Sequence, residues 1–141
     1  MWGMVVALVS GALMSLQGVF NTEVTKHSSI WASAGWVQLT AFITCVILYF
    51  STGRGEIMGM FSMDRKYMLL GGVMGAFITW TVIKSMDDLG PARATLLIVV
   101  TQILVSYFIE VFGLFGVEKA GFEWKKLIGA AVAIAGIVIF K

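Results

Sequence analysis

Charged side chains are confined to a few short segments, and long apolar runs separate these segments. No Asp, Glu, Lys or Arg occurs in residues 1–22, 28–53, 67–83, 94–109 or 127–140. A helix that crosses a bilayer needs about 20 mostly apolar residues, so each run predicts one transmembrane helix. The last run is short and can span only if Phe122 and Trp124 join it and the flanking lysines reach the headgroups. The predicted spans are about 2–22, 30–51, 67–86, 92–112 and 124–140.

The composition fits a membrane protein and excludes a soluble or disordered chain. Of the 141 residues, 59% are hydrophobic and only 13% are charged, which leaves too little polar surface to coat a soluble globule. We therefore expect an all-α integral membrane protein with a single transmembrane domain, 1–141, in the cell (inner or plasma) membrane, where its partner is lipid.

Several function classes are disfavoured by what the sequence contains. The chain has one cysteine, Cys45, and one histidine, His27, which excludes an internal disulfide framework and most zinc sites. No nucleophile has a paired base, so we expect neither an enzyme nor a bound cofactor or metal. The net charge of +2 gives no basic face for nucleic acid.

The charge distribution gives a weak orientation signal. Five spans place six lysines and arginines on the side of the N-terminus and four on the other side. One interpretation is a modest preference for an outside C-terminus. The other is that the chain inserts in both directions and pairs with an inverted copy of itself.

Polar and aromatic side chains inside the first four predicted spans are the candidate binding residues. A polar group in hydrocarbon is costly, so each one is a functional candidate. Because they follow helical spacing, we expect them to line one aqueous cavity shared by these four helices. The alternative is structural: serine bonds its own helix, glutamine bridges helices and tryptophan packs in the core. The candidates are Gln17, Asn21, Gln38, Trp80, Gln102 and Ser106.

Glu110 is the one acidic residue within a predicted span. It lies about 28 Å along the helix from Pro91, toward the far membrane interface. If it is buried, Glu110 is a candidate coupling group that carries a proton or pairs with a cation. If it is interfacial, it pairs with a loop lysine instead.

Small residues allow close helix packing in lipid, which supplies no hydrophobic drive for helix association. Gly129, Ala133 and Gly136 share one face of the fifth span, which is otherwise almost free of polar atoms. We expect this face to contact a partner chain. The alternative is that these residues pack within one chain, as Gly71 and Gly75 could do in the third span.

Several segments together resemble a known family. They are Ser15–Asn21 (SLQGVFN), Gly90–Thr95 (GPARAT), Thr101–Ser106 (TQILVS) and Phe112–Val117 (FGLFGV), with Glu110 between the last two. With the glycine-spaced final span, the chain resembles the short, five-span YdcZ-like branch of the drug/metabolite transporter superfamily. The resemblance implies an inverted (antiparallel) dimer of ten spans that works by alternating access on a small-molecule substrate. The second half would be an inverted copy of this chain or an inverted paralogue.

The first span departs from that of the better-known small multidrug and guanidinium exporters, which carry a glutamate there. This span contains no acid, and Gln17 and Asn21 are its polar candidates. A neutral or zwitterionic substrate is therefore more credible than a proton-exchanged cation. We expect a secondary-active exporter of a small polar or aromatic metabolite; the alternative is a non-transporting accessory or assembly subunit.

Overall fold

Five α-helices form the protein, and the computed structural model describes them in residues 2–53 and 55–139. They are α1 (Trp2–Lys26), α2 (Ile30–Thr52), α3 (Gly71–Leu89), α4 (Pro91–Phe112) and α5 (Trp124–Ile139). Short 3-10 helices occupy Met58–Ser62, Lys66–Leu70 and Leu114–Gly116. The predicted all-helical class and the five helices are confirmed.

Four segments of the described chain are long and apolar enough to cross a membrane. They are α1, α2, α4 and the segment Lys66–Leu89, which joins a 3-10 turn to α3. α1 continues to Lys26, four residues beyond its predicted end, and Lys26 pairs with Glu23 at 2.7 Å between Nζ and Oε2. Helical hydrogen bonding continues past the apolar run, so the first charged residue does not mark the end of the helix.

α5 is the short exception. Its 16 residues measure about 24 Å, against a hydrocarbon core of about 30 Å. Phe140, the last residue of the predicted span, and the flanking Lys141 lie outside the described residues. A fifth membrane span therefore stays a prediction.

Three residues reverse the chain between α1 and α2. Ser29 caps α2: its backbone is extended and its hydroxyl accepts a hydrogen bond from the Ala32 amide at 3.2 Å. The Ser28 hydroxyl donates to the Val24 carbonyl at 2.9 Å, which satisfies one of the open carbonyls at the end of α1. Local hydrogen bonds thus set the boundary between the first two helices.

The chain divides into two compact units, one ending at Asp88 and one beginning at Leu89. In the first unit, the Ser33 hydroxyl of α2 donates to the Asn21 carbonyl of α1 at 2.9 Å, and both residues are buried. α3 contacts α1 at Gly18, where an added Cβ would lie 2.5 Å from Cε of Met86. Met86 is itself buried, so Gly18 allows the two helices to approach closely.

The glycines of α3 and α5 differ in what they contact. An added Cβ at Gly75 would lie 3.2 Å from Nε2 of Gln38, so Gly75 packs against α2 within the first unit. Gly129 and Gly136 have no atom of another element of the second unit within 4 Å of a built Cβ. Ala130 is the buried residue of α5, and Ala133 is half-buried. Packing within the first unit therefore accounts for Gly75 but not for Gly71, and packing within the second unit does not account for Gly129 or Gly136.

We expect Gly18→Val to destabilise the folded protein, because the new side chain must displace the buried Met86. Overpacking of this kind costs about 1–3 kcal/mol. Thermal unfolding of the detergent-solubilised chain measures the effect, and Gly11→Val is the matched control because Gly11 has open space around it. Adding Met86→Ala to Gly18→Val should recover part of the lost stability. Equal destabilisation by the Gly11 and Gly18 variants would contradict the close contact.

Candidate functional site

The six predicted binding residues fall into three groups. Gln17 and Asn21 line a groove between α1 and α2, and Gln38 and Trp80 lie where α2 meets α3. Gln102 and Ser106 line a groove between α4 and α5 in the second unit. Each group is built inside one unit.

The α1–α2 groove has a volume of about 650 Å³ and is open on one side. In the part of the chain that the structure describes, the Gln17 side-chain amide has no hydrogen-bond partner. The neighbouring hydroxyls are satisfied within their own helix: Thr44 donates to the Thr40 carbonyl at 2.8 Å, and Thr40 to the Trp36 carbonyl at 3.0 Å. The side-chain groups of this groove that remain available for hydrogen bonding are therefore its amides. The groove is lined by Leu13, Leu16, Gln17, Phe20, Asn21, Val24, Trp36, Val37, Thr40, Ala41, Thr44 and Cys45.

Gln38 and Trp80 contact other side chains of the first unit. Nε2 of Gln38 donates to Oγ1 of Thr79 at 3.5 Å, a long hydrogen bond, and Thr79 donates to the Gly75 carbonyl at 2.9 Å. The ring of Trp80 stacks on Trp31 with centroids 6.0 Å apart and planes 15° apart. These contacts favour the structural interpretation of both residues, namely helix bridging by Gln38 and packing by Trp80.

The α4–α5 groove contains most of the features that the sequence singled out in the second unit. Its volume is about 530 Å³ and it is open on one side. Four residues predicted from sequence lie on it: Gln102, Ser106, Glu110 and Gly129. Its remaining lining residues are Val99, Ile103, Tyr107, Lys126 and Ala130.

Gln102, Ser106 and Glu110 follow each other at successive turns of α4, so they form one polar stripe about 12 Å long. Among the described residues, neither the Gln102 amide nor the Ser106 hydroxyl has a hydrogen-bond partner. Thr101, on the same helix, behaves differently, since its hydroxyl donates to the Leu97 carbonyl at 2.9 Å. The back-bonding alternative therefore does not account for Ser106, whose hydroxyl is available to a ligand or water in the groove.

Glu110 pairs with a lysine at the start of α5. Its Oε2 lies 3.1 Å from Nζ of Lys126, and Oε1 of Glu123 lies 3.6 Å from the same nitrogen. The side chains of Glu110 and Lys126 are 44% and 41% exposed, so both ions also face the groove. Of the two interpretations of Glu110, pairing with a lysine describes the observed contact. Its coupling role stays a prediction.

The turn after α4 brings this pair together. Gly113 ends α4 in the left-handed region, at φ 63° and ψ 39°, which glycine adopts without strain. The Glu110 carbonyl then accepts hydrogen bonds from the amides of Gly113 at 3.3 Å and Ala120 at 2.9 Å. The Tyr107 hydroxyl accepts from the Glu123 amide at 2.8 Å and lies 3.1 Å from the Glu123 carbonyl, to which it donates. The beginning of α5 is thereby fixed against α4.

Sequence reasoning missed Tyr107 and Lys126 as groove residues. Each makes its key contact with a residue 16 positions away, across an irregular turn. Helical periodicity does not relate residues on opposite sides of such a turn. The available signal was the charge of Lys126 beside an apolar run, which indicated only the edge of the membrane.

Comparison with known proteins adds the family. The family model described as "Putative inner membrane exporter, YdcZ" matches residues 2–139. No curated protein and no solved structure matches the chain. The match covers both units and all five helices.

We expect Tyr107→Phe to weaken the attachment of α5, because the Glu123 amide loses its acceptor. A lost hydrogen bond of this kind reduces the free energy of unfolding by about 0.5–1.5 kcal/mol. Thermal unfolding and hydrogen exchange of the amides of 123–127 measure the effect. Tyr67→Phe is the matched control, since its hydroxyl has no hydrogen-bond partner among the described residues and its side chain is exposed. Faster exchange in both variants would argue against a specific role for Tyr107.

Proposed function

We propose that this chain, which belongs to the YdcZ family of inner membrane exporters, is half of a secondary-active exporter. The family is part of the drug/metabolite transporter superfamily. The chain is a multi-pass protein of the inner membrane, and its family is an exporter family rather than an enzyme family. The proposed substrate is a small polar or aromatic metabolite. The proposed working unit is an antiparallel dimer that transports by alternating access.

One observation carries the proposal: two amides that lack partners, Gln17 and Gln102, each line an open groove. A side-chain amide has up to four hydrogen bonds to place, and hydrocarbon satisfies none of them. Structural glutamines would bridge to a neighbouring helix, as Gln38 does. Grooves that are wet or filled by substrate satisfy the amides, and this is the environment that a transporter provides.

A second chain is proposed because each groove is open on one side. A substrate crossing a membrane must be shielded from lipid, and neither unit encloses its groove by itself. The uncovered Gly129 and Gly136 on α5 offer a surface for close approach of a partner helix. The near-even distribution of lysine and arginine suits insertion in both orientations.

The fifth span is part of this proposal. α5 can cross the bilayer if Lys125 extends its ammonium group to the headgroups and the membrane thins by a few ångströms. Trp124, which is 68% exposed, lies at the helix start, where aromatic residues anchor spans in the interface. Five spans then place the two termini on opposite sides of the membrane.

In this mechanism the two chains rock about a site near the membrane midplane. Gln17 and Asn21 from the α1–α2 groove, and Gln102 and Ser106 from the α4–α5 groove, bind substrate. Gln38 and Trp80 have a structural role in the proposal: Gln38 bridges to Thr79 of α3, and Trp80 stacks on Trp31 of α2. Glu110 is the proposed coupling group.

We expect a C-terminal tag to be accessible from both sides of intact membranes in comparable amounts, because both orientations are inserted. Impermeant labelling of whole cells and of inverted vesicles measures the two fractions. Labelling from one side only would exclude a dual-topology homodimer and leave an inverted paralogue as the partner.

The dimer contact can be checked in the same preparation with the native cysteine replaced. In a Cys45→Ala background, Gly136→Cys should cross-link between chains, because Gly136 is uncovered. Ala130→Cys is the control, since Ala130 is buried within its own chain. Cross-linking that is stronger at Ala130 than at Gly136 would contradict the proposed face.

We expect Gln17→Ala and Gln102→Ala each to reduce export of a transported metabolite by about tenfold, the effect of one or two lost hydrogen bonds to substrate. Flux from liposomes that contain the purified chain measures this. Thr81→Ala is the control, because Thr81 is exposed and its hydroxyl bonds only its own helix, at the Phe77 and Ile78 carbonyls. Unchanged flux in both glutamine variants would exclude the proposed binding residues. Absence of flux together with a stoichiometric co-purifying partner would favour an accessory subunit.

A further inference from the structure

We infer that the α4–α5 groove selects a zwitterion, a small molecule with one ammonium group, one carboxylate and an apolar side chain, through the adjacent ions Glu110 and Lys126. This inference rests on the proposed function and specifies its substrate class. It uses a pair of charges, a polar stripe and an apolar wall that meet in one groove of the second unit.

The two charges lie side by side and face the same space. Oε2 of Glu110 and Nζ of Lys126 are 3.1 Å apart, both residues line the groove, and each side chain is close to half exposed. The ammonium and carboxylate of an α-amino acid are also adjacent. Such a headgroup can place its ammonium against Glu110 and its carboxylate against Lys126, so that every charge has a partner of opposite sign.

A singly charged ligand fits this site less well. A cation would compete with Lys126 for Glu110 and leave the lysine with the longer contact to Glu123, at 3.6 Å. An anion would compete with Glu110 for Lys126 and leave the Glu110 carboxylate without its ion-pair partner. An ion that loses its partner loses a charge-assisted contact, and solvent at these half-exposed side chains offsets part of that loss. Residues 110–126 contain three acidic and three basic residues, so this end of the unit has no net charge that would concentrate either sign.

The rest of the groove has room and chemistry for the body of such a molecule. Its volume of about 530 Å³ lies within the range of small-ligand sites. Val99, Ile103 and Ala130 form an apolar wall, and the Tyr107 ring lies beside the charges, 5.8 Å from Nζ of Lys126. The unpaired Gln102 amide and Ser106 hydroxyl continue the polar stripe away from Glu110 and can bind a polar substituent.

Three matched probes test the charge requirement. They are L-phenylalanine, phenylalaninamide, which lacks the carboxylate, and 3-phenylpropionate, which lacks the ammonium. Equilibrium binding to the purified full-length chain in lipid nanodiscs should favour phenylalanine over each analogue by about tenfold, the effect of one lost charge-assisted contact. Equal binding of the three probes, tighter binding of either analogue, or binding of none would overturn the inference.

Single variants should remove the preference one charge at a time. Glu110→Gln should abolish the preference for phenylalanine over 3-phenylpropionate, and Lys126→Gln the preference over phenylalaninamide. The double variant Glu110→Lys with Lys126→Glu keeps both charges and should keep zwitterion binding. Lys84→Gln is the control, because Lys84 pairs with Asp88 at 2.7 Å outside the groove. Loss of preference in Lys84→Gln, or its retention in both single variants, would assign the selectivity elsewhere.

Flux measurements separate this inference from the proposed function. Binding that prefers phenylalanine, without flux of any tested compound from liposomes, would support the zwitterion site and contradict the exporter. Flux of other metabolites without a preference among the three probes would support the exporter and overturn the zwitterion site.

Discussion

The fold depends on one constraint: a polar group inside hydrocarbon must find a partner within the protein or in a wet cavity. Most hydroxyls of the helices meet it locally. Thr22, Thr44 and Thr101 donate to the carbonyl four residues earlier, at 2.8, 2.8 and 2.9 Å. Such bonds remove most of the energetic cost of placing a threonine hydroxyl in a membrane helix, so these residues need no other role. The side chains that cannot bond their own helix carry the functional information.

The amides illustrate this distinction. Gln38 bridges to Thr79, whereas Gln17 and Gln102 line grooves without a partner in the described chain. All three residues are glutamines within predicted membrane spans, and they differ in what lies next to the side chain. Gln38 faces Gly75, where the absence of a side chain lets it reach α3. Gln17 and Gln102 face grooves that are open within their own units.

The helices were predictable from sequence because one physical quantity, the cost of a charge in hydrocarbon, sets their positions. α2 and α4 begin and end within one residue of the predicted bounds, and α1 differs only where it continues into the polar region. The bounds of α3 were less accurate, because a 3-10 helix replaces its first predicted turn and the α-helix continues three residues further, to Leu89. The membership of the α4–α5 groove was partly predictable for the same reason, since Gln102, Ser106 and Glu110 repeat every four residues. Tyr107 and Lys126 were not predictable, because their contacts depend on how Gly113 turns the chain, and no periodic pattern encodes that turn.

The neighbours Lys125 and Lys126 show how one helix start serves two purposes. Consecutive residues of a helix point about 100° apart, so the two lysines cannot face the same surroundings. Lys126 turns toward Glu110, Glu123 and the Tyr107 ring, and Lys125 has no ion-pair partner among the described residues. Lys125 is therefore free to extend to the headgroups, as a short helix requires, while Lys126 stays in the groove. If Lys126 also served as a membrane anchor, its ammonium would leave Glu110 exposed in the groove without a counter-ion. The division of roles between the two lysines thus makes membrane insertion of α5 compatible with an intact Glu110–Lys126 ion pair.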